Sequence, residues 1–231
     1  MSDERYAPPT APLGDSTRQR GTGRIDLGEA FREAWAATWA NFPLLLGVSL
    51  MFLVVTVLSV LTVVGAFLVF PVLVWGAFRF ALGVLEGSAE AGDLFSGFSD
   101  YGRVLAAMLM LMVAMLLLSL VGQVLSVLGQ TSGSGLLLFV GVIANLGWSL
   151  GVMPRLAFVW YYVVDQDFDA VQAIQTSWRA TSDQKLTCLL LGIVSGVIPV
   201  IGVLFLIVGV IPAVMISSLM QAAAYRQLAG R

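Results

Sequence analysis

Two arginines interrupt otherwise apolar segments: Arg79, in a run from Phe42 to about Leu85, and Arg155, in a run from Leu136 to Val164. Charge inside a hydrocarbon-facing segment is expensive and marks a functional site by default. A guanidinium presents a planar fork of donors that matches phosphate and carboxylate oxygens, so these positions suggest capture of a lipid phosphate or another anion. Arg226 closes the last apolar run in Ala224-Tyr225-Arg226, repeating the Ala77-Phe78-Arg79 ending, and joins them as a candidate lipid- or anion-binding residue. Arg79 is also placed to snorkel towards the headgroups or to pair with Glu86. Arg155 reads as deeper, directly after Pro154, a residue that frees backbone carbonyls.

Other chemistry is sparse. Asp165, Asp167 and Asp169 offer oxygen ligands for a divalent ion, but a helix starting after Asp169 makes a solvated capping turn the better account, and no metal site is expected. The chain has no His and a single Cys, Cys188, which removes the commonest acid–base group and any intramolecular disulfide. Cys188 sits in an apolar run and reads as a buried, inert thiol. No G-x-S-x-G elbow, H-E-x-x-H pair or Gly-rich phosphate loop is present. The chain is therefore read as no enzyme, with no cofactor. Neither a relay of intramembrane acids nor a row of gating arginines appears, which disfavours a pump or voltage sensor. A net charge of -2 gives no electrostatic case for nucleic acid.

The elements that must position these arginines are membrane helices. Hydrophobic residues make up 58% of the chain and charged residues 11%, with a mean hydropathy of +0.92, far from the balance of soluble domains. The expected fold is all-α: a polytopic membrane protein of six transmembrane helices over residues 24–231, preceded by a disordered cytoplasmic tail over residues 1–23. Asp26-to-Gly47 and Asp169-to-Gly192 share an order of features: an acidic start, Ala, Trp, Ala-Thr, a polar break and Leu-Leu-Leu-Gly. Asp93 to Arg103 is a weaker echo. Three units follow, at about 24–87, 88–164 and 165–231, each an interfacial helix on the cytoplasmic side and then a hairpin.

In the first and third interfacial helices, Phe31, Ala34, Trp35, Thr38 and Phe42, and Val171, Ile174, Trp178 and Thr181, share an apolar face by helical spacing. Asp93 starts the second, with Leu94, Phe98, Tyr101 and Leu105 on one face. Trp35, Trp39, Trp178 and Arg179 are the expected interfacial anchors. The hairpins are expected to turn at Val63-Val64-Gly65, across Gly129–Gly135 as a flexible loop, and near Pro199-Val200-Ile201-Gly202, with kinks at Pro71 and Pro212. Asn145, Gln123, Ser119, Ser126 and Ser149 are placed for interhelical hydrogen bonds. Gly147-x-x-x-Gly151 and Gly192-x-x-x-Gly196 match a close-contact motif, a weak signal among 24 glycines.

The string Ala173-x-x-x-Ser177-Trp178-Arg179-x-Thr181 before a leucine-rich span, Asp93-Leu-Phe-Ser-Gly-Phe98 before another, and the opening from Leu27 to Gly47 resemble the membrane domain attached to some bacterial glycerophosphodiester phosphodiesterases and its stand-alone relatives, the YciC-like integral membrane proteins. The resemblance implies a bacterial inner-membrane architecture. It carries over no catalytic residue, because the phosphodiesterase domain has no counterpart in this chain.

The function expected is a non-enzymatic integral membrane protein that senses or organises lipid or a partner, with membrane lipids and a homo-oligomer or an unidentified membrane partner as its contacts. The alternative is a small-solute or lipid transporter built on the Pro-broken second, fourth and sixth spans around Arg79 and Arg155. All twelve Lys and Arg fall on one side of this assignment and the three opposite turns carry none, which puts both termini in the cytoplasm. A topology reporter fused at Ser132 is expected to face away from the cytoplasm, and a cytoplasmic signal there contradicts the orientation.

Overall fold

The computed structural model describes residues 23–99, 101–204 and 206–230. The tail expected over residues 1–23 lies, apart from Gly23, outside the described residues. Among those described, every regular element is helical. Four stretches are long and apolar enough to cross a membrane: Phe42–Val60, Phe67–Glu86, Gly135–Asp165 and Ser182–Val203. A fifth results if Ala91–Phe98 and Tyr101–Leu117, bent by 83°, form one span. This set marks a membrane protein.

Helix α1 (Leu27–Ala40) leads through Asn41 into α2 (Phe42–Val60), and α3 (Val63–Glu86) returns. A 3-10 helix (Ala91–Phe98) precedes α4 (Tyr101–Ser132) and α5 (Gly135–Gly147). A π turn (Trp148–Val152), α6 (Met153–Leu156) and α7 (Val159–Asp165) continue α5. Then come α8 (Ala170–Ala180), α9 (Lys185–Leu204) and α10 (Leu206–Ala229).

The two related helices start alike. The Asp26 carboxylate accepts the Glu29 N–H at 2.9 Å and the Asp169 carboxylate accepts that of Gln172 at 2.8 Å. Each cap satisfies one of the orphan donors of a helix start, a contribution of about 1 kcal/mol. The Asp26 N–H goes to Gln227 Oε1 at 2.7 Å, so α1 is tied at its first turn to the end of α10.

Their buried faces differ from the apolar faces read by spacing. Ala30, Ala34 and Thr38 are fully buried where α1 lies on α10, while Phe31, Trp35 and Trp39 are exposed. In α8, Ala173, Ser177 and Thr181 are fully buried against α6 and α7, and Val171 and Trp178 are exposed. Small residues win the inward positions because they let two backbones approach closely. The threonines match too: Thr38 Oγ1 donates to the Ala34 carbonyl and Thr181 Oγ1 to that of Ser177, both at 2.7 Å. The spacing that separates Asp26 from Asp169 also carries buried Leu45 onto Cys188 and Val48 onto Leu191.

The middle element departs from expectation. It is a 3-10 helix, and Asp93 sits inside it: Glu90 is the N-cap, and its N–H donates to Asp93 Oδ2 at 2.9 Å. It folds back along α3, with a Cβ at Gly76 obstructed by the Leu94 backbone and one at Gly97 by Val72. Leu94 is buried, whereas Phe98, expected on the same face, is exposed.

The turns are tighter than expected. The first lies at Leu61-Thr62. Gly129 to Ser132 remain helical, and the chain reverses at Gly133, whose φ of +65° suits glycine; Ser134 then caps α5. Helix α9 continues through Pro199 to Leu204, so the turn expected at Pro199–Gly202 is helix, and Gly202 instead lets Gly209 and Ala213 approach.

Each surface element rests on the end of a returning helix: the 3-10 helix on α3, α8 on α6 and α7, and α1 on α10. The returning helices meet through rings, with Phe78 4.8 Å from Tyr161 and Tyr161 5.1 Å from Tyr225 between centroids. The α4–α5 hairpin is zipped by glycines: a Cβ at Gly122 would meet Asn145, one at Gly129 the Leu138 backbone, and one at Gly141 Ser126. Asn145 Nδ2 donates across it to Ser126 Oγ at 3.1 Å. Gly147, Gly151, Gly192 and Gly196 all face open space, so their motif spacing makes no helix contact here. Replacing Gly141 by Leu is expected to cost about 1–3 kcal/mol through overpacking, whereas Gly192→Ala is expected to be neutral or stabilising by up to about 1 kcal/mol. Thermal unfolding of the purified protein in one detergent compares the two, and equal losses contradict the zipper.

Candidate functional site

The two stretches singled out separately in the sequence, Pro154-Arg155 and the Asp169–Gly192 element, form one joint. Helix α5 reaches it through the π turn, in which the Met153 N–H bonds the Trp148 carbonyl five residues back. The ladder is thus already shifted when Pro154, which has no N–H, arrives at the start of α6. Helix α6 ends at Leu156 and α7 resumes at Val159. The Arg155 carbonyl beside this break accepts from Ser177 Oγ at 2.6 Å, with Thr181 Oγ1 at 3.4 Å. Two hydroxyls of α8 thereby satisfy a helix-end acceptor.

The Arg155 guanidinium lies over the Trp178 ring, its Cζ 4.3 Å from the centroid. That is well inside the range of a cation–π contact. Its Nε is buried and makes no hydrogen bond. Trp178 is 39% exposed, and Arg179, next in sequence, is exposed. Arg155 is therefore seated against α8, over Trp178, within the Gly135–Asp165 stretch able to cross a membrane. A guanidinium held flat on an indole, on a residue that is only half-buried, can bind an anionic oxygen through its terminal nitrogens.

Arg79 and Arg226 have other partners. Arg79 is 58% exposed at its side chain, and its Nε lies 4.0 Å from Asp93 Oδ1; its acidic neighbour is thus Asp93 where Glu86 was expected. Such an exposed pair contributes little. Arg226 reaches Glu33 Oε1 at 2.7 Å and the Leu85 carbonyl at 3.2 Å, clamping α1, α3 and α10 together. Its Nε, like that of Arg155, is buried without a partner. The three arginines share no partner.

The aromatic anchors form a stripe. Phe31, Trp35, Trp39 and Phe42 contact one another in order at 6.0, 5.7 and 5.3 Å, and Trp35 and Trp39 are 47% and 49% exposed. Arg103, not singled out in the sequence, bonds Asp167 at 2.5 Å and lies 5.8 Å from the Trp75 centroid. Asp167 adopts a positive φ of 57°, which Asp tolerates better than most residues. Its distance in sequence from Arg103 left no local signal. Among the described residues, no group of three or more His, Cys, Asp or Glu is placed to hold a metal ion.

Scans against protein-family models, curated proteins and solved structures find nothing that matches the chain. The Arg155–Trp178 contact should give a coupling of about 0.5–1 kcal/mol in a double-mutant cycle with Arg155→Ala and Trp178→Ala, scored by unfolding in detergent. Strict additivity of the two changes would mean that the stacked geometry carries no energy.

Proposed function

We propose that the protein is a non-enzymatic, multi-pass protein of the bacterial inner membrane that organises or senses anionic lipid at its cytoplasmic face. The carrying observation is the joint of α6 and α8, where the half-buried Arg155 holds its guanidinium on the exposed Trp178 ring. A lipid phosphate at that level meets an oriented guanidinium whose planar fork suits its oxygens. The exposed stripe of Phe31, Trp35 and Trp39 sets the depth of α1 as aromatic side chains do at membrane interfaces. Arg226 belongs to the clamp with Glu33 and is not assigned to lipid.

In this reading α2, α3, α4, the α5–α7 run, α9 and α10 are six spans with both termini cytoplasmic, built from three duplicated units. The matched caps, buried positions and threonine bonds of α1 and α8 support the duplication. So does the placement of each surface element on a returning helix. Kinship with the membrane domain of glycerophosphodiester phosphodiesterases and with YciC-like proteins belongs to the same proposal, on the motifs quoted above.

The π turn and helix break beside Arg155 favour one second reading, a solute or lipid transporter, since breaks of this kind recur at functional sites. Native mass spectrometry in phosphatidylglycerol and phosphatidylcholine separates the two. Organisation of anionic lipid predicts retained phosphatidylglycerol that Arg155→Ala reduces about tenfold, the cost of one charge-assisted bond, and that added salt weakens. Unchanged retention in Arg155→Ala overturns the reading. Transport predicts uptake into proteoliposomes abolished by the same change.

A further inference from the structure

A groove of about 540 Å³ lies between α2 and α10, over α3. Ala77 and Ala81, one turn apart on α3, give it a low floor, and Leu94 of the 3-10 helix also lines it. The α2 wall runs from Leu45 to Leu53 and the α10 wall from Val210 to Leu219, about 12–14 Å along the helix axes at 1.5 Å per residue.

Three observations identify what fits there. The lining is apolar except for Ser49 and Ser218, and Ser218 donates its hydroxyl to the Met215 carbonyl at 2.9 Å. An inserted peptide would find almost nothing for its N–H and C=O groups, which a hydrocarbon setting makes costly. The α2 and α3 walls also belong to Phe42–Val60 and Phe67–Glu86, two stretches able to cross a membrane. The upper end of the groove, at Leu45, begins one turn below Phe42, where the stripe of ring contacts ends. Acyl chains begin at that depth, just beneath an aromatic belt.

We propose that this groove is a lipid site in which an acyl chain of a membrane phospholipid lies between α2 and α10, its headgroup level with Trp39 and Phe42. The site is separate from the Arg155–Trp178 joint and shares with the proposed function only the membrane placement.

The test uses the full chain in nanodiscs containing phosphatidylethanolamine with a diazirine midway along one acyl chain, and maps photo-adducts by peptide mass spectrometry. Adducts on residues 45–53 and 210–219 should exceed, several-fold per residue, those on the exposed Leu138 and Phe139 face of α5. Ala81→Phe should remove that excess and leave α5 labelling unchanged; Val214→Phe, at the exposed rim, should reduce it without burdening the core. Arg155→Ala should not alter it. Groove labelling no higher than on α5 means ordinary surrounding lipid and overturns the site. Efficient disulfide cross-linking between copies of Leu53→Cys means that a second copy occupies the groove and also overturns it. Release of the wild-type chain by alkaline carbonate would defeat the membrane placement itself, together with every reading built on it.

Discussion

The rings of Phe78, Tyr161 and Tyr225 hold α3, α7 and α10 to one another, and the rest of the fold hangs from that junction. Phe158 and Tyr162 pack on Tyr225 from the same helical run. The polar tips are used as well: Tyr225 donates to Asp165 at 2.7 Å, and Tyr161 Oη lies 3.3 Å from the Ser218 carbonyl. Buried aromatic side chains with a partnered hydroxyl combine large contact area with a fixed orientation. Because each returning helix also seats one surface element, the junction sets the positions of α1, α8 and the 3-10 helix together. The outgoing helices α2, α4 and α9 are then placed mainly through their hairpin mates.

Small side chains do the complementary work. The Ala30, Ala34 and Thr38 seam and the Ala173, Ser177 and Thr181 seam remove almost no apolar area of their own. They let backbones come close, so that many weak dispersion contacts add up. The cost of this arrangement is that the larger apolar residues of α1 and α8 face outward. In water that would be an aggregation hazard.

Much of this was legible in the sequence. The length and hydropathy of the apolar runs announce helices that cross a membrane, and Asp26 and Asp169 mark helix starts because their short carboxylates fit an N-cap. Hydrophobic spacing did not mark which residues of α1 and α8 pack inward, because it ranks Trp above Ala, whereas close helix contact selects for size. Gly129 to Gly135 look like a flexible loop by composition, yet most of them continue α4, with hydroxyls of Thr131 and Ser132 turned back on its own carbonyls. Pro199 looks like a break, but its neighbours carry the helix past it. The joint of Arg155 with Ser177, Trp178 and Thr181 was hidden by distance along the chain: both halves were visible, and only the fold brings them together.

The α4–α5 hairpin leaves the aromatic junction early. Beyond Leu111 the buried positions among the described residues of α4 and α5 are Gly122, Gly129 and Gly141, all spent on zipping the hairpin to itself. Outside the hairpin, α4 and α5 touch α3, α8, the 3-10 helix and the π turn, each far less than they touch one another. A hydrophobic hairpin packed in this way can meet a mismatch with bilayer thickness by tilting. The same polypeptide therefore joins an aromatic hub to a hairpin whose closest packing is with itself.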